Sequence, residues 1–339
     1  MSVYVIAEAG VNHNGNIKIA KQLIEKAKTA GCDCIKFQTF QADKIVTKKA
    51  KKADYQIQNM QTNESQYEML KKLELTYEEF EELKEYSLQK QIDFLSTPFD
   101  EEAVDLLEKV GVEQYKISSG EITNKPLVQY IADCGKRILL STGMSTLEEV
   151  AECLEWIYEK QNKNVILFHC TSNYPTPYED VNMDSMITLK NEFGLPIGYS
   201  DHTEGIEIAL MAVAMGATMI EKHFTLDKTM EGPDHKASLE PDELRKMVEG
   251  IRNIEKAFGS AEKKPTDSEC KTREVARKSL VFSKDMKKGD ITQRGCIICK
   301  RPGTGVPPKY AEEFLGRRIK NDCKQDTLVE YADIGEENP

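Results

Sequence analysis

The chain has 339 residues, of which 40% are hydrophobic, so it is long enough for one large domain and a small one. Its formal net charge of −11 argues against a nucleic-acid partner, because a phosphate backbone is bound by a basic face. The sequence has no apolar run as long as a membrane span, and residues 3–9 are too short for a signal peptide. We therefore expect a cytoplasmic protein without a membrane partner.

Residues 4–258 consist of eight repeats of one unit, in which a short apolar strand is followed by a polar tip and an amphipathic helix. The strands are predicted to start near Tyr4, Cys34, Asp93, Gln114, Arg137, Val165, Pro196 and Thr218. Eight such units in about 250 residues are typical of a TIM barrel. The alternative, a doubly wound open sheet, would carry a glycine-rich dinucleotide loop after the first strand, and GVNHNG at 10–15 is not that pattern. We predict an α/β fold in which residues 1–261 form a TIM (β/α)8 barrel.

Two segments depart from the repeat. Residues 41–75 are long, polar and rich in lysine, which is consistent either with a lid or substrate wall or with a solvated insertion. Residues 262–274 are polar and predict a linker, and the short β-type runs of residues 275–339 predict a small β-rich domain. Because a domain of this size is marginally stable alone, we expect it to pack on its own barrel or on that of a partner.

The seventh and eighth predicted strands each end in a polar tip that carries a histidine. Because alternate side chains of a strand share a face, Ser200 points with His202, and Glu221 points with His223. If these strands are neighbours, two imidazoles converge with carboxylates beside them, and this donor set favours a divalent metal. The alternative is two unrelated histidines, one in the core and one in a loop.

The other strand ends are predicted to bind an anion, since the chemistry of a TIM barrel takes place where the strands end. Lys36, Gln38 and Lys116 lie at such ends, together with hydroxyl groups in segments 96–97, 118–119 and 141–142. Lysine supplies a point charge, while hydroxyl and backbone N–H groups complete the hydrogen bonds of a phosphate or phosphorylated acid. Taken singly, a Ser or Thr is also consistent with a helix N-cap, and the lysines with a Schiff-base aldolase or lyase.

Many ordered motifs of the chain resemble those of the sialic acid synthases, the bacterial N-acetylneuraminate synthase family. They are EAGVNH (8–13), KFQT (36–39), STPF (96–99), KISSGE (116–121), STGM (141–144), YPTPYED (174–180), SDHT (200–203), EKHF (221–224) and GPD (232–234). The tail resembles the antifreeze-like (SAF) domain that ends these enzymes, with RPG at 301–303 as its mark. The resemblance covers essentially the whole chain.

This resemblance implies a condensation in which phosphoenolpyruvate, N-acetylmannosamine and water give N-acetylneuraminic acid and phosphate. It implies a divalent metal on His202 and His223, with Mn²⁺ expected and Mg²⁺ or Co²⁺ as alternatives. The phosphoenolpyruvate contacts that it implies are Lys36, Gln38, Thr97, Lys116, Ser119 and Ser141. The sugar contacts that it implies are Tyr174, Asp234 and Arg301. It also implies that Glu8 and Glu121 lie in the reaction zone. For proton transfer we expect Glu121, with Glu8 and Glu221 as rivals.

The segment before Tyr174 departs from the family pattern. Some members place a sugar-contacting asparagine where this chain has Ser172 and Asn173. Either Asn173 takes that role from a shifted position, or the pocket favours another hexose, as in related synthases that make legionaminic acid from 2,4-diacetamido sugars. The resemblance also implies a domain-swapped homodimer in which Arg301 acts in trans. Because the tail resembles ice-binding proteins, a non-enzymatic binding protein is a further alternative, which the polar residues at every strand end disfavour.

Overall fold

The computed structural model describes residues 2–60 and 64–337 of the chain. They belong to two compact units, Met1–Gly259 and Ser260–Pro339. Each unit has a hydrophobic core of its own. Along the described ranges, no helix combines the length and the apolar character that a membrane crossing requires.

The described part of the first unit contains one sheet of eight parallel strands. These are β1 (Tyr4–Gly10), β2 (Cys34–Thr39), β3 (Asp93–Pro98), β4 (Gln114–Ile117), β5 (Arg137–Ser141), β6 (Val165–His169), β7 (Ile197–Asp201) and β8 (Met219–His223). The hydrogen-bonded order is β3-β2-β1-β8-β7-β6-β5-β4, and β3 also packs beside β4, so the strands form a near-closed barrel. The TIM-barrel prediction is confirmed, with each strand starting within one residue of its predicted position.

Helices cover the outside of this barrel. They are α1 (Ile17–Ala30), α2 (Ala42–Ile45), α3 (Asp54–Met60), α4 (Gln66–Leu73), α5 (Tyr77–Gln89), α6 (Glu101–Lys109), α7 (Lys125–Asp133), α8 (Leu147–Glu159), α9 (Asp184–Phe193), α10 (Glu207–Ala214) and α11 (Pro241–Phe258). Local sequence sets several of their ends. A capping box joins Thr146 to Glu149 at the start of α8, and Gly31 ends α1 in the left-handed conformation, with φ 87°.

The inside of the barrel is apolar at one end and polar at the other. The apolar layer consists of Ile6, Cys34, Leu95, Leu139, Ile166, Phe168 and Met219. Because side chains alternate along a strand, the next inward position lies two residues further on. At that level each strand or its end supplies one residue of a polar layer, namely Glu8, Lys36, Thr97, Lys116, Ser141, Cys170, Ser200 and Glu221. This layer is the floor of the candidate active site.

The insertion at residues 41–75 contains α2, α3 and α4 and packs on the barrel. Met69 and Leu73 of α4 are buried with Val11 and Phe40 in a separate apolar cluster. This packing counts against the alternative of a solvated insertion.

The second unit consists of α12 (Asp267–Ala276), β9 (Ser279–Phe282), β10 (Ile297–Lys300), β11 (Arg317–Ile319) and β12 (Ile334–Glu337). Strands β9 and β10 pair antiparallel, as do β11 and β12, around a core that includes Phe282 and Phe314. The predicted linker 262–274 is not irregular throughout, because α12 begins inside it. Thr266 and Glu269 form a capping box there, which satisfies two N–H groups at the start of the helix.

Candidate active site

A cavity of about 470 Å³ opens above the polar layer, at the carboxyl ends of the strands. All eight residues of that layer line it. All six residues predicted to bind phosphoenolpyruvate line it as well, namely Lys36, Gln38, Thr97, Lys116, Ser119 and Ser141. The structure thus brings together six polar residues that the sequence spreads over four strands or their ends.

Two lysines and two glutamates of the polar layer form a buried ion cluster. Nζ of Lys36 lies 3.0 Å from Oε2 of Glu8 and 3.7 Å from Oε1 of Glu221. Nζ of Lys116 lies 2.7 Å from Oε2 of Glu221 and 4.6 Å from the centre of the Phe168 ring. The four charged side chains are at most 5% exposed. Because buried charges are costly without partners, this cluster is stable only if its charges balance or if a ligand completes it.

The two glutamates of this cluster differ in protonation. Burial favours the neutral acid at Glu221, but the ammonium groups of Lys116 and Lys36 outweigh it and hold the pKa of Glu221 well below its usual range. Burial also raises the pKa of Glu8, to about 7, against the opposing effect of Lys36 and with a further rise from Glu221. Near neutral pH, Glu221 is ionised while Glu8 is partly protonated. Protonation of Glu8 makes the cluster more positive, which suits an anion, whereas burial lowers the pKa of Lys116 against the effect of Glu221.

Hydrogen bonds fix the side chains around this cluster. Nε2 of Gln38 donates to Oε1 of Glu8 at 3.0 Å, and Nζ of Lys36 donates to Oγ1 of Thr97 at 3.1 Å. The hydroxyl of Ser200 donates to Oε1 of Glu221 at 2.8 Å. On the opposite wall, the backbone N–H of Gly143 donates to Oγ of Ser119 at 3.0 Å.

His202 and His223 converge on the same cavity, with ring centres 5.4 Å apart. Nδ1 of His202 lies 2.7 Å from the carbonyl oxygen of Thr171. A carbonyl only accepts, so Nδ1 carries the proton and Nε2 has a lone pair, with Oγ of Ser200 3.4 Å away. Because that hydroxyl donates its proton to Glu221, the lone pair of Nε2 is available to a ligand. Burial lowers the pKa of His202 to about 4, which keeps its ring neutral.

The second imidazole is also buried and neutral. Burial lowers the pKa of His223 far below its usual value, and the neighbouring His202 and Lys36 add to the effect. Among the described residues, Nδ1 of His223 has no hydrogen-bond partner, and Oδ2 of Asp234 lies 3.9 Å from it. Nowhere in the described ranges do three or more His, Cys, Asp or Glu side chains form a ready-made metal cluster. A metal here would rest on the two imidazoles and on oxygen donors from outside the protein or from Asp234.

The residues predicted to contact the sugar belong to both units of the chain. Tyr174 and Asp234 line the cavity, and the Tyr174 ring lies 4.2 Å from that of His202. Asn173 is exposed, and its side chain accepts a hydrogen bond from the backbone N–H of Tyr174. Arg301 belongs to the second unit, where its Nε donates to the carbonyl of Ala276 at 3.1 Å.

Glu121 follows the cavity wall formed by Ser118, Ser119 and Gly120. Glu121 is the last residue of a short 3-10 helix, Ser119–Glu121, that follows β4. Its carboxylate accepts a hydrogen bond from Nδ2 of Asn124 at 2.7 Å. Glu8 and Glu221, by contrast, lie on the cavity floor.

The insertion forms one wall of the cavity. Ala53, Gln56, Gln66, Met69, Leu70 and Leu73 contribute to it. Nδ2 of Asn59 donates to the carbonyl of Pro233 at 2.7 Å, which joins this wall to the loop that carries Asp234. The site therefore has a charged floor and a partly apolar side.

Ser200, Glu221 and Cys170 are central here, although the sequence analysis named Glu221 only as a rival for proton transfer and assigned no role in the site to Ser200 or Cys170. Each lies two positions beyond an inward-facing residue of its strand, namely Gly198, Met219 and Phe168. These residues could have been found from the sequence, because side chains two positions apart on a strand face the same side.

Fold and site together define a TIM barrel with a polar, charged cavity at the carboxyl ends of its strands. The chain belongs to the NeuB family, whose sequence model matches residues 23–263, and a SAF domain matches residues 277–335. It is therefore a synthase of the sialic acid type, which confirms the resemblance seen in its motifs.

Curated relatives and solved structures agree with this assignment. The chain is 50% identical to the N,N'-diacetyllegionaminic acid synthase of Campylobacter jejuni over 96% of this chain and 98% of that one. It is 44% identical to the enzyme of the same name from Legionella pneumophila over 98% and 95% of the two chains. It is also similar to the crystal structure of N-acetylneuraminic acid synthetase from Leptospira borgpetersenii in complex with citrate. That match has a TM-score of 0.70 and 38% identity and covers 80% of this chain and 90% of that one.

Proposed function

We propose that this enzyme condenses phosphoenolpyruvate with a 2,4-diacetamido hexose to give a legionaminic-acid-type 2-keto acid and phosphate. The observation that carries this proposal is the 50% identity to a diacetyllegionaminic acid synthase over nearly the full length of both chains. The sequence motifs alone had led us to expect N-acetylmannosamine as the substrate. The two relatives above favour the diacetamido sugar instead.

The cavity wall supports the same choice. A second acetamido group adds a methyl group and an amide, and the apolar side chains of Met69, Leu70 and Leu73 suit the methyl. The test is a panel of N-acetylmannosamine and 2,4-diacetamido sugars, assayed by phosphate release and product mass. We expect kcat/KM to be at least about tenfold higher for a diacetamido sugar, which corresponds to about 1.4 kcal/mol. A preference for N-acetylmannosamine would contradict the proposal.

Phosphoenolpyruvate is proposed to bind over the ion cluster. Lys36 and Lys116 offset the charges of its phosphate and carboxylate, and Gln38, Thr97, Ser119 and Ser141 complete its hydrogen bonds. C3 of phosphoenolpyruvate then attacks the open-chain aldehyde carbon, water adds at C2, and phosphate leaves by cleavage of the C–O bond.

His202 and His223 are proposed to hold a divalent metal, with Mn²⁺ expected and Mg²⁺ or Co²⁺ as alternatives. The available lone pair of His202 and the unpartnered Nδ1 of buried His223 fit such an ion. When bound, the ion would act as a Lewis acid toward the aldehyde oxygen. Tyr174, Asp234 and Asn173 are proposed to orient the sugar beside it.

Glu8 has the stronger support as the residue that transfers a proton. Its pKa of about 7 lies near the working pH, where a group exchanges protons most efficiently. Glu121, the first choice from the sequence, remains a prediction. Comparison of the pH–rate profiles of Glu8→Gln and Glu121→Gln distinguishes the two, because the responsible variant should lose the limb near pH 7.

Arg301 is proposed to act in trans within a domain-swapped homodimer. Mixing a barrel-dead subunit, His223→Ala, with a tail-dead subunit, Arg301→Ala, provides the test once each is shown to be inactive alone. If the tail crosses over, one site of each heterodimer has an intact barrel and an intact arginine, so activity returns. Subunit exchange verified by mass without recovered turnover would rule out the swapped arrangement.

A Schiff-base aldolase or lyase is the remaining chemical alternative. The carboxylates of Glu221 and Glu8 raise the pKa of Lys36 despite its burial, so its amine stays protonated and is a poor nucleophile. Burial lowers the pKa of Lys116 against the effect of Glu221, so Lys116 is the lysine that the trapping experiment has to examine. For the proposed synthase, borohydride trapping with pyruvate should give no covalent adduct on either lysine. An adduct on Lys36 or Lys116 would favour the aldolase.

A further inference from the structure

A buried ion pair links β7 and β8 on the side that faces away from the cavity. In the register of these parallel strands, Ser200 lies opposite Glu221, and Asp201 lies opposite Lys222. Since Ser200 and Glu221 face the cavity, Asp201 and Lys222 face outward. Nζ of Lys222 lies 2.7 Å from Oδ2 of Asp201, and both side chains are completely buried.

The same pair holds the residue that follows His202. Nζ of Lys222 donates to the carbonyl oxygen of Thr203 at 2.6 Å. Oδ1 of Asp201 accepts hydrogen bonds from the backbone N–H of Thr203 at 3.0 Å and from its hydroxyl at 2.8 Å. Both chain neighbours of His202 are therefore bonded to Lys222, which itself directly precedes His223.

Packing alone does not account for a charged pair at this position. The outward residue one step earlier on β8 is Ile220, and α10, with buried Ala212 and Val213, packs against both strands. A buried ion pair can often be replaced by apolar side chains of similar volume without loss of stability. Its directional bonds, however, fix the register and separation of the two strand ends, which apolar contacts do less strictly.

We infer that Asp201 and Lys222 are positioning residues that set the separation of His202 and His223 and thereby the metal affinity of the site. This inference rests on the proposed function, because it takes the two imidazoles as metal ligands. Outer residues that orient metal ligands commonly change metal affinity by 10–100-fold when they are replaced.

The test separates metal affinity from stability by comparing four full-length proteins. They are the wild type, the double variant Asp201→Asn/Lys222→Met, His223→Ala, and Asp133→Asn as the control. The double variant removes both charges together, so that neither is left buried and unpaired. Asp133 forms an exposed ion pair with Lys160 at the same 2.7 Å distance, between α7 and α8. The readouts are the Mn²⁺ dissociation constant from electron paramagnetic resonance of free Mn²⁺, the ratio of Mn²⁺ to Mg²⁺ affinity, and the melting temperature without metal.

We expect the double variant to melt close to the wild type but to bind Mn²⁺ at least about tenfold more weakly, with a changed Mn²⁺ to Mg²⁺ ratio. The Asp133→Asn control should bind as the wild type does. A double variant that is folded and binds Mn²⁺ with wild-type affinity would overturn the inference and leave the metal site standing. A wild type that binds no Mn²⁺, or a His223→Ala variant that binds it normally, would overturn the metal site and the inference together.

If the double variant does not fold, Thr203→Val tests the positioning role instead. It removes only the hydroxyl that bonds to Asp201 and leaves the ion pair in place. A several-fold weaker Mn²⁺ affinity at unchanged melting temperature would support the positioning role, and an unchanged affinity would count against it.

Discussion

The protonation of Glu8 should control how tightly the cavity binds an anion. Its carboxyl group lies 3.0 Å from Nζ of Lys36, and burial raises its pKa from 4.5 to about 7. Because the folded-state pKa is raised, the group is neutral below about pH 7 and ionised above it. An ionised Glu8 offsets the charge of Lys36, so it opposes a bound anion. The raised pKa also makes the stability of the fold depend on pH. The stability that neutral Glu8 contributes is fully present below pH 4.5 and is lost as the pH rises through about 7.

The size of the effect follows from the titration of one group. Between pH 6 and 8, a carboxyl with a pKa of about 7 changes from about 90% to about 10% protonated. If only the protonated state binds the anion well, the dissociation constant rises about tenfold over this range, or by about 1.4 kcal/mol.

Sulfate is a suitable probe, because its charge does not change over this range of pH. Calorimetric titration at pH 6, 7 and 8 should show the tenfold loss for the wild type and a flat profile for Glu8→Gln, which mimics the neutral acid. Glu121→Gln is the matched control and should follow the wild type, since its carboxylate bonds to Asn124 outside the ion cluster. Lys116→Met should abolish sulfate binding, which shows that the measured binding takes place in this cavity. Equal slopes for the wild type and Glu8→Gln would refute the reasoning.

Three further predictions concern the proposed reaction. His223→Ala should lose Mn²⁺ retention and nearly all turnover, because one of two imidazoles is gone; full activity after exhaustive chelation would contradict this. Phosphoenolpyruvate labelled with ¹⁸O at the bridging position should give labelled phosphate by mass spectrometry, whereas label in the keto acid would indicate attack at phosphorus. Met69→Gln should lower kcat/KM for a diacetamido sugar about tenfold and for N-acetylmannosamine less, because it makes the apolar wall polar. Equal losses of kcat/KM for both sugars would show that this apolar wall does not determine the sugar preference.

The barrel could be predicted because its pattern is local. Each strand is a short apolar run that turns polar at its end, and this alternation is visible without any knowledge of partners. Two predicted strand starts, Pro196 and Thr218, are one residue too early. The first error has a simple cause, because Pro196 has no N–H to donate to the ladder and β7 begins at Ile197.

The ion cluster could not be predicted because its partners are distant in sequence. Lys116 and Glu221 are 105 residues apart, and only closure of the barrel brings them to 2.7 Å. The sequence places both lysines at strand ends but does not show which carboxylates lie beside them. In the same way, the sequence does not show what buries Met69 and Leu73, because Val11 and Phe40, which pack against them, come from other loops.

The insertion has a consequence for the order in which parts of the barrel open. It is joined to the rest of its unit through the small Met69 cluster and a few bonds, such as Asn59 to Pro233, whereas the cavity floor is built into the sheet ladder. Local openings with few apolar contacts require much less free energy than global unfolding. Amide hydrogens of α4 should therefore exchange with solvent well before those of β1 and β8. The insertion wall can then open while the charged floor stays assembled, so access to the cavity and alignment of the floor residues are separate events.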